Sequence, residues 1–139
     1  MSARSKARKR ALDILFESDL RGLPAGGTLE ERRAAAQQPL NDYTVTLVEG
    51  VATHTSSIDA TLTRYSSGWP LERMPAVDRN ILRIGVYELT EVDEVPAAVA
   101  ISEAVAMARE LSTDDSPAFV NGLLARIAGL PESALRSDR

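Results

Sequence analysis

The stretch from Ala76 to Val92 constrains the fold more than any other part of the chain. Val77, Ile81, Leu82, Ile84, Gly85, Val86, Tyr87 and Leu89 cover nearly every direction around a helix. A helix that is apolar on most sides is buried on most sides, so other elements must surround this one. The next segment supplies one of them. Ala97, Ile101, Ala104, Val105, Ala108 and Leu111 line one helical sector, with alanines that allow close contact between helices, and Pro96 fits its start. Ser116 fits a cap and Pro117 a first helical position for a last helix with the stripe Val120, Leu123, Leu124 and Ile127. Gly129 and Pro131 end it, and residues 131–139 read as a flexible tail.

Upstream, residues 41–66 carry Tyr43, Val45, Leu47, Val48, Val51, Ile58, Leu62 and Tyr65 at helical spacings. Gly50 and the polar run Thr53–Ser57 predict a kink or break there. Trp69-Pro70 begins a connector lasting to Pro75. Gly22, Pro24, Gly26 and Gly27 make a loop, after which Thr28 and Glu31 fit a capping box opening a short helix that reaches about Gln38. Residues 4–20 read as an amphipathic helix whose stripe holds Arg4, Arg8, Ala11, Leu12 and Leu15, with Lys6, Arg10, Asp13 and Glu17 opposite. The stripe turns into two arginines towards its N-terminal end, which places Arg4 and Arg8 at the rim of the buried face. Without strand alternation or an internal repeat, residues 1–139 read as one all-α domain of about seven helices, its first ten residues a basic arm.

Function classes narrow by exclusion. The 139 residues include no cysteine, which removes disulfides, thiolate nucleophiles and Cys-ligated metal sites. His54 is the one histidine and has no carboxylate at helical spacing, so neither a His-centred triad nor a metal site is expected, and no cofactor. The glycines around Thr28 lack the lysine of a phosphate loop and follow no strand. The acid pairs Asp93–Glu94 and Asp114–Asp115 sit beside helix starts, where acids favour the helix dipole. No run is long and apolar enough for a signal peptide or a membrane span, so a cytoplasmic protein is expected.

Charge is distributed unevenly. Lys+Arg 16 against Asp+Glu 20 gives a net charge of -4, yet Arg4, Lys6, Arg8, Lys9 and Arg10 precede the first acid. A basic arm on an acidic body suits an anionic partner. With about -0.7 per phosphate contact on a single strand, five such contacts cap the salt slope near about -3.5, which supports modest affinity and favours a co-binding partner. Phe119 lies at the edge of the last apolar stripe. An aromatic in that position offers a face of the kind that reads unstacked RNA bases, although on spacing alone an ordinary place at the core rim fits better.

Four segments together resemble the NusB family of bacterial antitermination factors: Arg79-Asn-Ile-Leu-Arg83-Ile-Gly-Val-Tyr87-Glu88-Leu89, Val95-Pro96, Ala100-Ile101-Ser102-Glu103-Ala104, and Asp115-Ser-Pro-Ala-Phe119-Val-Asn121-Gly122. The basic arm leading into Ala11–Phe16 is similar too, whereas residues 22–40 depart from the family pattern. The resemblance implies two packed helical bundles and a non-catalytic role. The factor would bind boxA-type leader RNA with NusE, a ribosomal small-subunit protein, in the RNA polymerase antitermination complex that supports ribosomal RNA transcription. It further implies that Arg4, Lys6, Arg8, Arg83, Asp115 and Phe119 contact RNA, and that Phe16 and Asp78 face NusE. Ser5 and Ala118 stand where the family often carries charge, which weakens the expected RNA contact. The same fold occurs in front of RNA cytosine methyltransferases, but that activity needs a further domain with a catalytic cysteine. A different reading is a protein-interaction module or homodimer that buries Phe119 and the arm and masks RNA binding.

Overall fold

The computed structural model describes residues 2–129, and the expected tail lies outside them. Seven α-helices follow one another: α1 (Ala3–Leu20), α2 (Leu29–Ala35), α3 (Asp42–Thr53), α4 (Thr55–Tyr65), α5 (Ala76–Glu91), α6 (Ala97–Leu111) and α7 (Ser116–Ala128). A short 3-10 turn at Leu71–Arg73 precedes α5, and no strand occurs among the described residues.

Helix α5 is the centre, as its all-round apolar surface requires. It packs against α1, α3, α4, α6 and α7, while α1 also packs on α3 and α6 on α7, so two helical groups meet at α5. Ile81, Leu82, Ile84 and Val86 are at most 1% exposed. Gly85 permits the approach of α7, since a Cβ there would lie 2.7 Å from Leu124 Cδ1. Gly50 does the same for the Tyr87 ring, which occupies the space a Cβ would need.

The expected break in residues 41–66 falls at His54, between α3 and α4. The basic arm is itself helical. Ser2 caps α1 by accepting a hydrogen bond from Ser5 N at 3.0 Å, so residues from Ala3 onward are rigid turns of that helix.

Two expected caps do not form. Thr28 is wholly buried against α1, and its hydroxyl donates to the Ile14 carbonyl at 3.1 Å, while Glu31 pairs with Arg21 at 2.7 Å. With no capping box, α2 ends at Ala35, short of Gln38. Ser116 is the first residue of α7 rather than its cap, and its hydroxyl donates inward to Asp78 Oδ2 at 2.8 Å. In both cases a buried carbonyl or carboxylate took the hydroxyl that local sequence assigned to a helix end. No helix among the described residues is long and apolar enough to cross a membrane.

Candidate nucleic-acid interface

The first turns of α1 carry five cations, and the structure gives them different fates. Arg8 is not at the rim. Its side chain is 3% exposed, its Nε lies 3.0 Å from both Glu88 oxygens, and its Nη1 lies 2.8 Å from Glu103 Oε1. The Tyr43 hydroxyl donates to Glu88, and the Ser5 hydroxyl to Glu103. Burial by itself would lower the Arg8 pKa, but the hydrogen bonds and charges of Glu88 and Glu103 outweigh it and raise the pKa. Burial also pushes the Tyr43 hydroxyl well above its ordinary value, with the Glu88 carboxylate adding to the effect. The two acids thus hold Arg8 where an apolar stripe would otherwise end, and no face of it is left for a phosphate.

Arg4 does sit at the rim, 43% exposed, but engaged. Its guanidinium lies 4.4 Å from the Tyr43 ring centroid, and Nη2 pairs with Glu94 Oε1 at 2.7 Å. Lys9 pairs with Glu110 at 2.7 Å. Lys6 and Arg10 are exposed and make no ion pair with any described residue. The free charge of the arm is therefore on the face opposite the one that helical phase singles out.

Lys6, Lys9 and Arg10 rim a groove of about 470 Å³ with an apolar floor of Leu12, Phe16, Val77 and Leu111. Phe16 is half-buried there, and Leu111 is 43% exposed. Asp78 does not reach this groove. It is wholly buried and accepts hydrogen bonds from the Ser112 and Ser116 hydroxyls, tying α5 to the turn between α6 and α7. Its place one residue after Val77 on a helix turns it inward, so the expectation that it faces a partner is corrected.

Arg83 is likewise committed. Its Nε and Nη2 each lie 2.9 Å from an Asp59 oxygen, and Nη1 lies 3.6 Å from Asp19 Oδ2. Asp19 also accepts from Arg79 Nε and Asn80 Nδ2, both at 2.9 Å. Partial burial opposes ionisation of Asp19, but the arginines and Asn80 prevail and hold its carboxyl below the usual range.

Asp115 is exposed at the N-terminal end of α7. Phe119, one turn on, is half-buried and meets Trp69 edge-to-face, with centroids 4.6 Å apart and planes inclined at 67°. Arg109 is exposed, is adjacent in α6 to the Glu110 that holds Lys9, and lines a shallow groove with Thr113, Asp114, Pro117, Ala118 and Asn121. Sequence reading passed over Arg109 because a single arginine on a helix face carries no pattern; only the packing of α6 on α7 gives it neighbours.

A family model described as the NusB family matches residues 5–129. The chain belongs to the NusB family. It is 61% identical to the transcription antitermination protein NusB of a Nocardioides species, over 91% of this chain and 94% of that protein. Identity to the NusB of an Arthrobacter strain is 57%, over 97% and 99%. The fold matches a solved structure of T. maritima NusB with TM-score 0.82 at 29% identity, covering 99% of both chains. A second solved structure, of the antitermination factors NusB and NusE in complex with dsRNA, matches with TM-score 0.77 at 26% identity, over 90% of this chain and 95% of that one. The NusB family match takes in Arg8, Phe16, Asp78, Arg83, Asp115 and Phe119 but starts just after Arg4.

Proposed function

We propose that this chain is a transcription antitermination factor that binds boxA-type single-stranded leader RNA together with a NusE-type ribosomal protein and performs no catalysis itself. The observation that carries the reading is the family match across residues 5–129, with relatives named as transcription antitermination proteins at 54–61% identity. The match to a structure in which NusB is bound to NusE and RNA supports both partners.

On this chain the RNA surface consists of Lys6, Arg10 and the outer side of Arg4, with Asp115 and Phe119 on α7. Arg8 and Arg83 serve it indirectly, Arg8 by fixing α1 and Arg83 by fixing α5 to Asp59. Phosphate contacts position the strand, and stacking with base-edge hydrogen bonds selects it. The groove floored by Phe16, Val77 and Leu111 adjoins these cations and receives the protein partner, so that RNA and partner bind side by side. Each then raises the effective concentration of the other.

Titration of labelled boxA-type RNA with this protein, with and without the NusE-type protein, tests the reading. Binding that tightens at least several-fold with the partner is expected. Equal, salt-insensitive affinity for boxA-type RNA and for an unrelated RNA would overturn it. Leu111→Asp should weaken the partner's contribution and leave the binary RNA affinity within about twofold.

A further inference from the structure

Phe119 does not stand alone. Trp69 meets it edge-to-face, and Trp69 is placed by a built turn. Helix α4 ends at Tyr65, Gly68 takes φ +73°, and the Ser66 hydroxyl donates to the Trp69 carbonyl at 2.8 Å. A left-handed residue in this turn is available to glycine at no steric cost, and it turns the chain back so that the indole lies on α7. Seven residues after Phe119, and so nearly on the same stripe of α7, Arg126 donates from Nη1 to the Tyr65 carbonyl at 3.3 Å and to Ser67 Oγ at 3.1 Å. Two guanidiniums approach the Tyr65 ring, Arg64 at 5.3 Å and Arg126 at 5.7 Å from its centroid. Phe119, Trp69 and Tyr65 are all half-buried; Arg64 and Arg126 are exposed, and neither forms an ion pair with any described residue.

We propose that Trp69, Tyr65, Arg64 and Arg126 continue the Phe119 contact into a second binding strip for single-stranded RNA, on the α4 and α7 side of the molecule. This rests on the RNA-binding reading above and extends it. Single-strand sites combine aromatic faces for successive bases with cations that track the backbone, and both elements come together here, with Phe119 and Arg126 two turns apart on α7 and Tyr65 and Arg64 at the end of α4. The charge favours RNA as the occupant. Elsewhere on the body arginines are mostly neutralised by carboxylates, as Arg21, Arg32, Arg79 and Arg83 are, whereas Arg64 and Arg126 are left cationic beside half-buried rings. Both rings of the edge-to-face pair are only half-buried, so part of each remains accessible to bases.

Trp69 is the one tryptophan in the chain, so it reports on this strip directly. The full chain is titrated with a fluorescently labelled single-stranded boxA-type RNA, following RNA anisotropy and Trp69 emission together. Quenching of Trp69 with the same midpoint as the anisotropy change is expected. Trp69→Leu should weaken binding about tenfold and Trp69→Tyr about threefold or less, since a ring is retained. Arg64→Ala with Arg126→Ala should reduce the salt slope by about 1.4. RNA binding with unchanged Trp69 emission and wild-type affinity in these variants would overturn the strip and leave the RNA-binding reading intact. Absence of RNA binding by the unaltered protein would overturn both. Emission that responds to the NusE-type protein and not to RNA would overturn the strip in favour of a protein-docking surface.

Discussion

Arg8 Nη2 and Glu88 Oε2 lie 3.0 Å apart with their side chains 3% and 1% exposed, which makes this pair a buried clamp between α1 and α5. Glu103 extends the clamp to α6 and Tyr43 extends it to α3. Four helices therefore meet on one guanidinium. A buried charge deprived of its partner costs far more than the intact pair contributes, because the desolvation cost stays and the compensation goes. Arg8→Ala leaves Glu88 buried with only the Tyr43 hydroxyl, and is expected to destabilise the fold by about 3–5 kcal/mol. Arg8→Met combined with Glu88→Leu should recover much of that loss. Urea denaturation followed by far-UV circular dichroism measures both; a single variant within about 1 kcal/mol of the parent would show that the clamp is not structural.

Burial of Arg8 also divides the arm into cations held by carboxylates and cations left unpaired among the described residues. Lys6→Ala with Arg10→Ala removes two charges that no described carboxylate holds, so the fold should be unaffected within about 0.5 kcal/mol. The salt slope for boxA-type RNA should fall by about 1.4, at about 0.7 per single-strand phosphate contact. Arg4→Ala should have a smaller effect on RNA than either, since Glu94 and Tyr43 already compete for its guanidinium. Anisotropy titrations between low and moderate salt separate these outcomes. A flattened slope in Arg4→Ala with none in the Lys6 and Arg10 pair would reverse the assignment.

Asp19 should make stability depend on acid. Its folded pKa is below the ordinary value of about 3.9, so its contribution is complete above that value and is lost as pH falls through the folded pKa. Asp19→Asn should therefore be less stable than the parent at pH 6, with the difference shrinking steadily below about pH 4. Urea midpoints of the two proteins measured from pH 6 to pH 2.5 test this. A difference that stays constant across the range would mean that the Asn80 hydrogen bond, and not the charge, carries the effect.

How legible the molecule is from its residues depends on the range of the interactions concerned. Helix α5 and its central place followed from an all-round apolar pattern, and the break at His54 from a glycine and a polar run, both local signals. The residues proposed to face RNA did not separate so cleanly. Arg4 and Arg8 share a stripe with Leu12 and Leu15, and periodicity cannot tell a rim arginine from one buried on acids 80 and 95 residues away. Asp78 and Ser116 show the same limit: each has a plausible local role, and their mutual hydrogen bond across 38 residues overrode both. Trp69 sits in a connector with no periodicity at all, and only the turn at Gly68 brings it to Phe119.

Gly50 marks a place where local propensity and packing oppose each other. Within α3 an alanine would normally gain about 1 kcal/mol over glycine in helix propensity. A Cβ at this position, however, would lie 2.1 Å from Tyr87 Cζ and 2.3 Å from Tyr87 Cε1. The ring has Gly50 beneath it and His54 beside it, with the His54 and Tyr87 centroids 5.9 Å apart, so it must swing out rather than yield by a few tenths of an ångström. Gly50→Ala is therefore expected to destabilise by about 1–3 kcal/mol in spite of the propensity gain. Tyr87→Ala made alone removes the clash but also the ring's packing on α3. In that background Gly50→Ala should become neutral or stabilising. Thermal melts of the two single variants and the double variant close the cycle, and additive effects would show that Tyr87 is not what reserves the position for glycine.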